Sequence, residues 1–230
     1  MDNAAWHALT GPHRHLAEIH GRARRYRADF AVYSALPDKN DPQAWRDLAA
    51  LAGPGSEVVL TGVAFGTPPG WPVNRIAQAV QMVAETRTGA DDPEAVRLGP
   101  DDVDEITALI GRARPGPWRP RTIELGRYLG IRRQGRLVAL AGERVRLPGW
   151  TELSAVCTDE PFRGQGLAAR LVGAVVHGIQ ARGDRALLHT GATNATAIRL
   201  YERLGFVQRR ETVFARLVVP PSLPSRPDAD

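Results

Sequence analysis

Read for its apolar spacing, the chain falls into short elements separated by glycine and proline. Asp41-Pro42 opens a helix, with Asp as N-cap and Pro in the first turn. Trp45, Leu48, Ala49 and Leu51 form its apolar side, and Gly53-Pro54-Gly55 ends it. Val58–Val63 and Ala79–Ala84 read as strands around the turn Pro68-Pro69-Gly70-Trp71-Pro72. Val96-Arg97-Leu98 is a short strand, and Pro100-Asp101-Asp102 opens a helix through Ile106, Leu109 and Ile110, with acidic residues in its first turn. Residues 128–133 and 136–141 pair as a hairpin across Gln134-Gly135. Residues 151–158 then form a strand with apolar residues on both faces. From Gly166 the period changes: Leu167, Leu171, Val172, Val175, Val176 and Ile179 recur at helical spacing. A strand at 186–190, a helix at 194–204 ending at Gly205, and a strand at 213–218 complete the pattern.

The polar stretch Thr86-Arg87-Thr88-Gly89-Ala90-Asp91-Asp92-Pro93 is rich in breakers and predicts a boundary. Residues 1–93 are therefore expected to be a separate α/β unit and 94–219 a second one. The first unit is either a helper that completes the fold or contacts a partner, or a degenerate copy of the second. In Trp6–His20 the spacing of His13 and His15, two apart, suits a strand or loop better than one helix face, and the histidines of this stretch are expected to be exposed or capping rather than metal ligands. Residues 220–230, with four prolines, are expected to be a disordered tail.

Composition narrows the function classes. Cys157 is the one cysteine, so no intramolecular disulfide can form. Met1–His7 lacks the basic start and apolar core of a signal peptide, and no run approaches the roughly 18 apolar residues of a membrane span. A soluble cytoplasmic protein is the expectation. The formal charge is +5, but the positive charge is almost all arginine, Lys39 being the one lysine. The densest basic cluster, Arg22, Arg24, Arg25, Tyr26 and Arg27, is short, so a solvated charged face is expected there and nucleic acid is not an expected partner.

The chemistry concentrates between residues 151 and 206. A strand, the turn Arg163-Gly164-Gln165-Gly166-Leu167-Ala168 and a helix follow one another. The first turn of a helix has unpaired N–H groups and partial positive charge. Glycines let a phosphate approach them, and Arg163 adds a forked cation. A diphosphate site is one reading; a turn using glycine for tight packing is the other. The dinucleotide fingerprint can accept Ala169 as its third small residue, but its acidic candidate, Asp184, lies in a turn rather than at a strand end. The P-loop pattern fails, since no Lys-Ser or Lys-Thr follows.

Arg163-x-x-Gly166-x-Ala168 and Asn194-x-x-Ala197-x-x-Leu200-Tyr201-x-x-x-Gly205-Phe206 together resemble the two central motifs of the GNAT superfamily of acyl-CoA-dependent N-acetyltransferases. The resemblance covers about residues 95–218. It implies an α/β fold, a mixed twisted sheet flanked by helices, with residues 1–93 as an N-terminal α/β helper region. It implies acetyl-CoA as donor, no metal, and direct attack by a small-molecule or peptide amine. The backbone of Val156, Cys157 and Thr158 would pair with the pantetheine arm. The amides of Arg163, Gly164, Gln165, Gly166, Leu167 and Ala168 would hold the pyrophosphate, and Asn194 would cap its helix and contact the cofactor. Tyr201 would protonate the leaving thiolate. Glu152 is the expected general base, against the alternative that it pairs with Arg144 or Arg146; His189 is the fallback. A non-catalytic CoA-binding module is the rival function, an acetyltransferase acting on charged tRNA a further one, and a homodimer is compatible with either.

Overall fold

The computed structural model describes residues 1–85 and 89–221. Five α-helices lie among them: α1 (Ala4–Thr10), α2 (Pro42–Ala52), α3 (Val103–Ala113), α4 (Leu167–Ala181) and α5 (Ala195–Arg203). Strands β1 (Ala17–His20), β2 (Ala23–Tyr26) and β3 (Ser34–Ala35) make a small antiparallel sheet. The remaining strands are β4 (Glu57–Gly62), β5 (Val73–Ala84), β6 (Val96–Leu98), β7 (Tyr128–Arg133), β8 (Arg136–Leu147), β9 (Trp150–Thr158), β10 (Arg185–Gly191) and β11 (Phe206–Val218). They form one sheet in the order β4-β11-β5-β10-β9-β8-β7-β6. Every neighbouring pair in it is antiparallel except β9 and β10. The fold is thus α/β, with a large mixed sheet flanked by helices.

The sheet does not respect the boundary expected at residue 93. β5 lies between β10 and β11, bonded to β10 from Val83↔Leu187 to Ala79↔Gly191 and to β11 along its length. β4 adds the outermost strand beyond β11. β4 and β5 therefore complete the large sheet, while β1–β3 form a small sheet of their own. β5, an inner strand, is followed in the chain by β6 at the far edge of the sheet. Thr86, Arg87 and Thr88 of the breaker-rich stretch, and residues 222–230 of the expected tail, lie outside the described residues.

Side-chain alternation along the strands splits the core. On one face α4 buries Leu171, Val175 and Ile179 against Leu129, Ala139, Leu153 and Met82. On the other, α3 packs Ile106 and Leu109 over Leu140 and Cys157, while Tyr26 and Tyr33 of the N-terminal region pack toward Val59 and Phe214. Met82 is fully buried, so Met82→Ala would cost about 2–5 kcal/mol. α2 begins as its sequence predicts: the Asp41 carboxylate accepts from the Gln43 amide at 2.9 Å.

Some elements run differently from the expectation. α1 falls where the spacing predicted no element, since seven residues are too short to show a period; burial of Ala8 and Leu9 holds it. His13 and His15 fall at a 3₁₀ turn, Arg14–Leu16, rather than on a strand. His13 is buried rather than exposed. Its Nδ1 lies 2.9 Å from the Tyr26 hydroxyl, and burial pushes the ring down to about 4. β8 and β11 extend beyond the hairpin and terminal strand expected at 136–141 and 213–218.

Candidate active site

β9 ends at Thr158, and a single 3₁₀ turn (Glu160–Phe162) leads into Arg163-Gly164-Gln165-Gly166. Gly164 and Gly166 have φ of 78° and 74°, a left-handed conformation that a side chain resists. A Cβ at either would meet nothing within 4 Å. Close packing is therefore not the reason for these glycines, which leaves their conformation and the open approach above them. Arg163 to Gly166 are exposed, while Leu167 is buried and anchors the first turn of α4. The α4 amides without helical partners face this exposed turn. Arg163 donates from Nε to the Thr158 carbonyl at 3.3 Å. Beside it lies a cavity of about 500 Å³ lined by Arg112, Arg136, Asp159, Glu160 and Arg163. Asp159 is buried, and its bond to Arg112, aided by one to Arg136, holds its carboxyl below the usual range.

β9 and β10 pair in parallel only from Trp150↔Arg185 to Leu153↔Leu188. Beyond that register they part. Where they part, β9 carries a bulge: Ala155 has φ 56°, and the register with β8 slips between Leu140 and Gly142. Cys157 and Thr158 pair with β8 on one edge only, opposite Leu140 and Ala139. Among the described residues no strand takes their other edge; apart from the Thr158 carbonyl, which accepts from Arg163, that edge of Val156 to Thr158 is open to an extended ligand. The Cys157 thiol is buried and pushed up to about 12 by that burial, which makes it a poor nucleophile.

Glu152 lies on the sheet face away from α4 and is 3% exposed. Its Oε1 accepts from Arg144 Nη2 at 3.0 Å and faces His189 Nδ1 at 2.8 Å. Burial opposes the charge, but Arg144 and then His189 outweigh it and bring the carboxyl down to about 2. A carboxylate held so low is a weak base. The pairing with Arg144 is the alternative reading of Glu152; Arg146 instead bonds Asp184 at 3.2 Å. The network continues. Gln81 Oε1 accepts from Arg209 Nη1 at 2.8 Å, so the Gln81 amide nitrogen, 3.1 Å from His189 Nε2, is the donor there. His189 then carries its proton on Nδ1 and gives it to Glu152. Arg209 in turn bonds Asp2.

Tyr201 belongs to the core on the α4 face, its ring 5.8 Å from Phe206. It is therefore on the opposite face from Glu152, and the two predicted catalytic residues do not touch. Burial pushes Tyr201 up to about 12. Its hydroxyl bonds no described residue, yet it is not among the polar atoms sealed from solvent. Asn194 caps α5, its Oδ1 accepting from the Ala197 amide at 3.1 Å. Gln81 and Arg209 were not among the expected site residues, and His189 stood only as the fallback base. Their signal is present: Gln81 and His189 are lone polar residues inside apolar strands, where a buried polar group needs a partner.

A parallel strand pair that opens beside a glycine turn at a helix N-terminus is the layout of an acyl-CoA-dependent transferase. The family model of FR47-like proteins matches residues 128–215. The [ribosomal protein bS18]-alanine N-acetyltransferase of Escherichia coli (strain K12) is 35% identical over 101 residues, covering 41% of this chain and 68% of that protein. A solved structure from Novosphingobium aromaticivorans DSM 12444, assigned to the GNAT acetyltransferases, is 41% identical and covers 94% of this chain and 97% of its own, with a TM-score of 0.87. A GCN5-related N-acetyltransferase from Kribbella flavida shares the fold at 20% identity, 95% and 94% coverage and a TM-score of 0.59. The chain belongs to the GNAT superfamily of N-acetyltransferases. No helix among the described residues is long and apolar enough to cross a membrane.

Proposed function

We propose that the protein transfers an acetyl group from acetyl-CoA to a primary amine by direct attack on the thioester. The observation that carries this is the parting of β9 and β10 beyond Leu153 and Leu188, beside glycines that nothing packs against. The pyrophosphate rests on the amides of Arg163 to Ala168, with Arg163 as its cation. The pantetheine arm lies along the free edge of Val156 to Thr158, and Asn194 borders it from the start of α5. Acetyl-CoA supplies the activated acyl carbon; the chain positions it and moves protons.

The amine nitrogen forms a bond to the carbonyl carbon as the carbon–sulfur bond breaks. The ammonium must first lose a proton. Glu152, held at about 2, serves here as the anchor that fixes His189 rather than as the base. His189 Nε2 is the acceptor, the lone pair now used by the Gln81 amide being offered to the incoming ammonium. On the other face Tyr201, still protonated near neutral pH, gives its proton to the departing thiolate.

The acceptor class is a primary amine; the relative that acts on alanine of a ribosomal protein makes a peptide N-terminus one member to test. A panel of amines, including a peptide beginning with alanine, is assayed for free-thiol release from acetyl-CoA. Release with at least one amine, matched by an acetylated product, is expected. Saturable acetyl-CoA binding with no release from any amine would make the chain a CoA-binding module instead.

A further inference from the structure

Among the described residues three buried polar side-chain atoms lack a partner: Arg144 Nε, the Tyr128 hydroxyl and, farther off on β11, Thr212 Oγ1. Arg144 is 9% exposed and Tyr128 1%. A buried donor left unpaired is costly, and each such atom calls for a cause. The Tyr128 ring covers Gly142, two residues before Arg144 on β8, so the two side chains neighbour each other on one face of the sheet. Arg144 also stands 5.0 Å above the Tyr33 ring and lines a narrow crevice with Tyr33, Pro117, Arg119 and Thr122. In this form the crevice has no room for a water molecule, so trapped solvent does not satisfy the guanidinium there.

The charges nearby are matched one by one. Glu152 takes one edge of Arg144, Glu143 takes Arg182, and Glu124 takes Arg121. Arg119, at the rim, is exposed, and its side chain has no partner among the described residues. What is missing is a small planar anion with two acceptor oxygens. A carboxylate has that shape and takes guanidinium and hydroxyl donors together. A phosphate is bulkier than a crevice this narrow suggests.

We propose that the amine acceptor carries a carboxylate, bound by Arg144 Nε, the Tyr128 hydroxyl and Arg119. The proposal rests on the acyl-transfer reading above. Entry requires the Pro117–Arg119 segment to move away from Tyr33. The carboxylate site and His189 Nε2 lie at opposite ends of the relay Arg144–Glu152–His189, whose two bonds measure 3.0 and 2.8 Å. Amine and carboxylate are therefore separated by several bonds, roughly two residues of extended chain. A short peptide or an ω-amino acid fits that spacing; an α-amino acid does not.

The test uses the full chain with acetyl-CoA and two matched series: straight-chain ω-amino acids from glycine to 8-aminooctanoate with short glycine peptides, and the carboxamide of each. Free-thiol release gives kcat and KM. The acids should exceed their amides by about tenfold or more in kcat/KM, with an optimum longer than glycine. Tyr128→Phe and Arg119→Gln should each shrink that acid-to-amide ratio through KM rather than kcat. Tyr128→Phe deletes an unpaired hydroxyl, so it should fold as well as wild type, which thermal unfolding checks. Amides accepted as well as acids, or a ratio unchanged in both variants, would overturn the carboxylate site. So would turnover of an alanine-led peptide with none from either series, which would leave acyl transfer standing. Acetyl-CoA binding with no thiol release from any amine would sink the underlying reading itself.

Discussion

The turn at Arg163–Leu167 and the cluster around Glu152 sit on the same strand pair and are made of different things. The turn is exposed main chain, with two left-handed glycines and empty space where side chains would stand. The cluster is buried side chains, with Glu152 Oε1, both ring nitrogens of His189 and both amide atoms of Gln81 engaged by neighbours from other strands. The turn offers unpaired amides to whichever ligand brings a diphosphate, so its specificity is for a group common to every acyl-CoA. The cluster sets position and proton location for one acceptor, and its cost falls on stability when any member is lost.

The largest expected effect separates chemistry from packing on the cofactor side. Tyr201→Phe keeps the ring against Phe206 and removes the one proton that side can give. Turnover should fall by about 10²–10⁴ with acetyl-CoA affinity little changed. Steady-state kinetics beside calorimetric binding reads both; normal turnover would leave Tyr201 as a packing residue.

On the acceptor side the first loss should be stability. Glu152→Gln leaves Arg144 buried without its counter-ion, which costs about 3–5 kcal/mol. Thermal unfolding should show a drop of well over 5 °C, roughly 2–4 °C per kcal/mol for a chain of this size. Adding Arg144→Met should return part of it, because the stranded charge is gone. The wild type carries the matching pH signature. The Glu152 carboxyl is depressed in the fold, so its contribution is full above the unfolded value near 4.5 and drains away as pH falls toward about 2. An acid-unfolding curve unchanged by Glu152→Gln would contradict the pairing.

This contrast also decides what could be read from the sequence. The glycine turn is local: strand, turn and helix adjoin in the chain, so period and composition revealed it. The α4, α5 and α2 helices were legible for the same reason. The cluster is not local. Arg144, Glu152, His189, Gln81 and Arg209 come from β8, β9, β10, β5 and β11, and their meeting depends on strand order. That order turned on β5, which slots between β10 and β11 from 100 residues upstream of β10. Nothing in the spacing of Ala79–Ala84 says which strand it will pair with. Glu152 lies on β9, but its chemistry is set by Arg144 and His189, which other strands bring to it.

A third variant returns to the turn. Gly166→Glu places bulk and negative charge where the phosphates would rest, in space that is otherwise open. Wild type at a hundredfold excess of acetyl-CoA over its Kd should gain about 2.7 kcal/mol of stability, and the folded variant should lose that gain. Its left-handed φ of 74° adds strain of about 1–2 kcal/mol in the free protein, so the comparison must be of shifts on ligand addition, not of midpoints. An unchanged shift would mean that the phosphates sit elsewhere, with the cavity beside Arg112 and Arg136 the first place to look.

The smallest effect tests a residue that could belong to either side. Asn194 is exposed and caps α5 through the Ala197 amide at 3.1 Å. Its resemblance to the motif asparagine also implies cofactor contact, and one side chain can do both only if the amide nitrogen is left for the ligand. The cap uses Oδ1, and no bond of Nδ2 to a described residue is recorded. Asn194→Ala removes both functions and should cost about 1 kcal/mol of stability from the cap alone. Asn194→Asp separates them: it keeps the cap oxygen, adds a charge favourable at a helix N-terminus, and removes the amide donor. Unfolding of the Asp variant without ligand should match wild type. If Asn194 also meets the cofactor, acetyl-CoA should then shift the Asp variant less than wild type, repulsion from the phosphates adding to the lost donor. Equal shifts in the two proteins would confine Asn194 to holding α5, and with it Tyr201, in place.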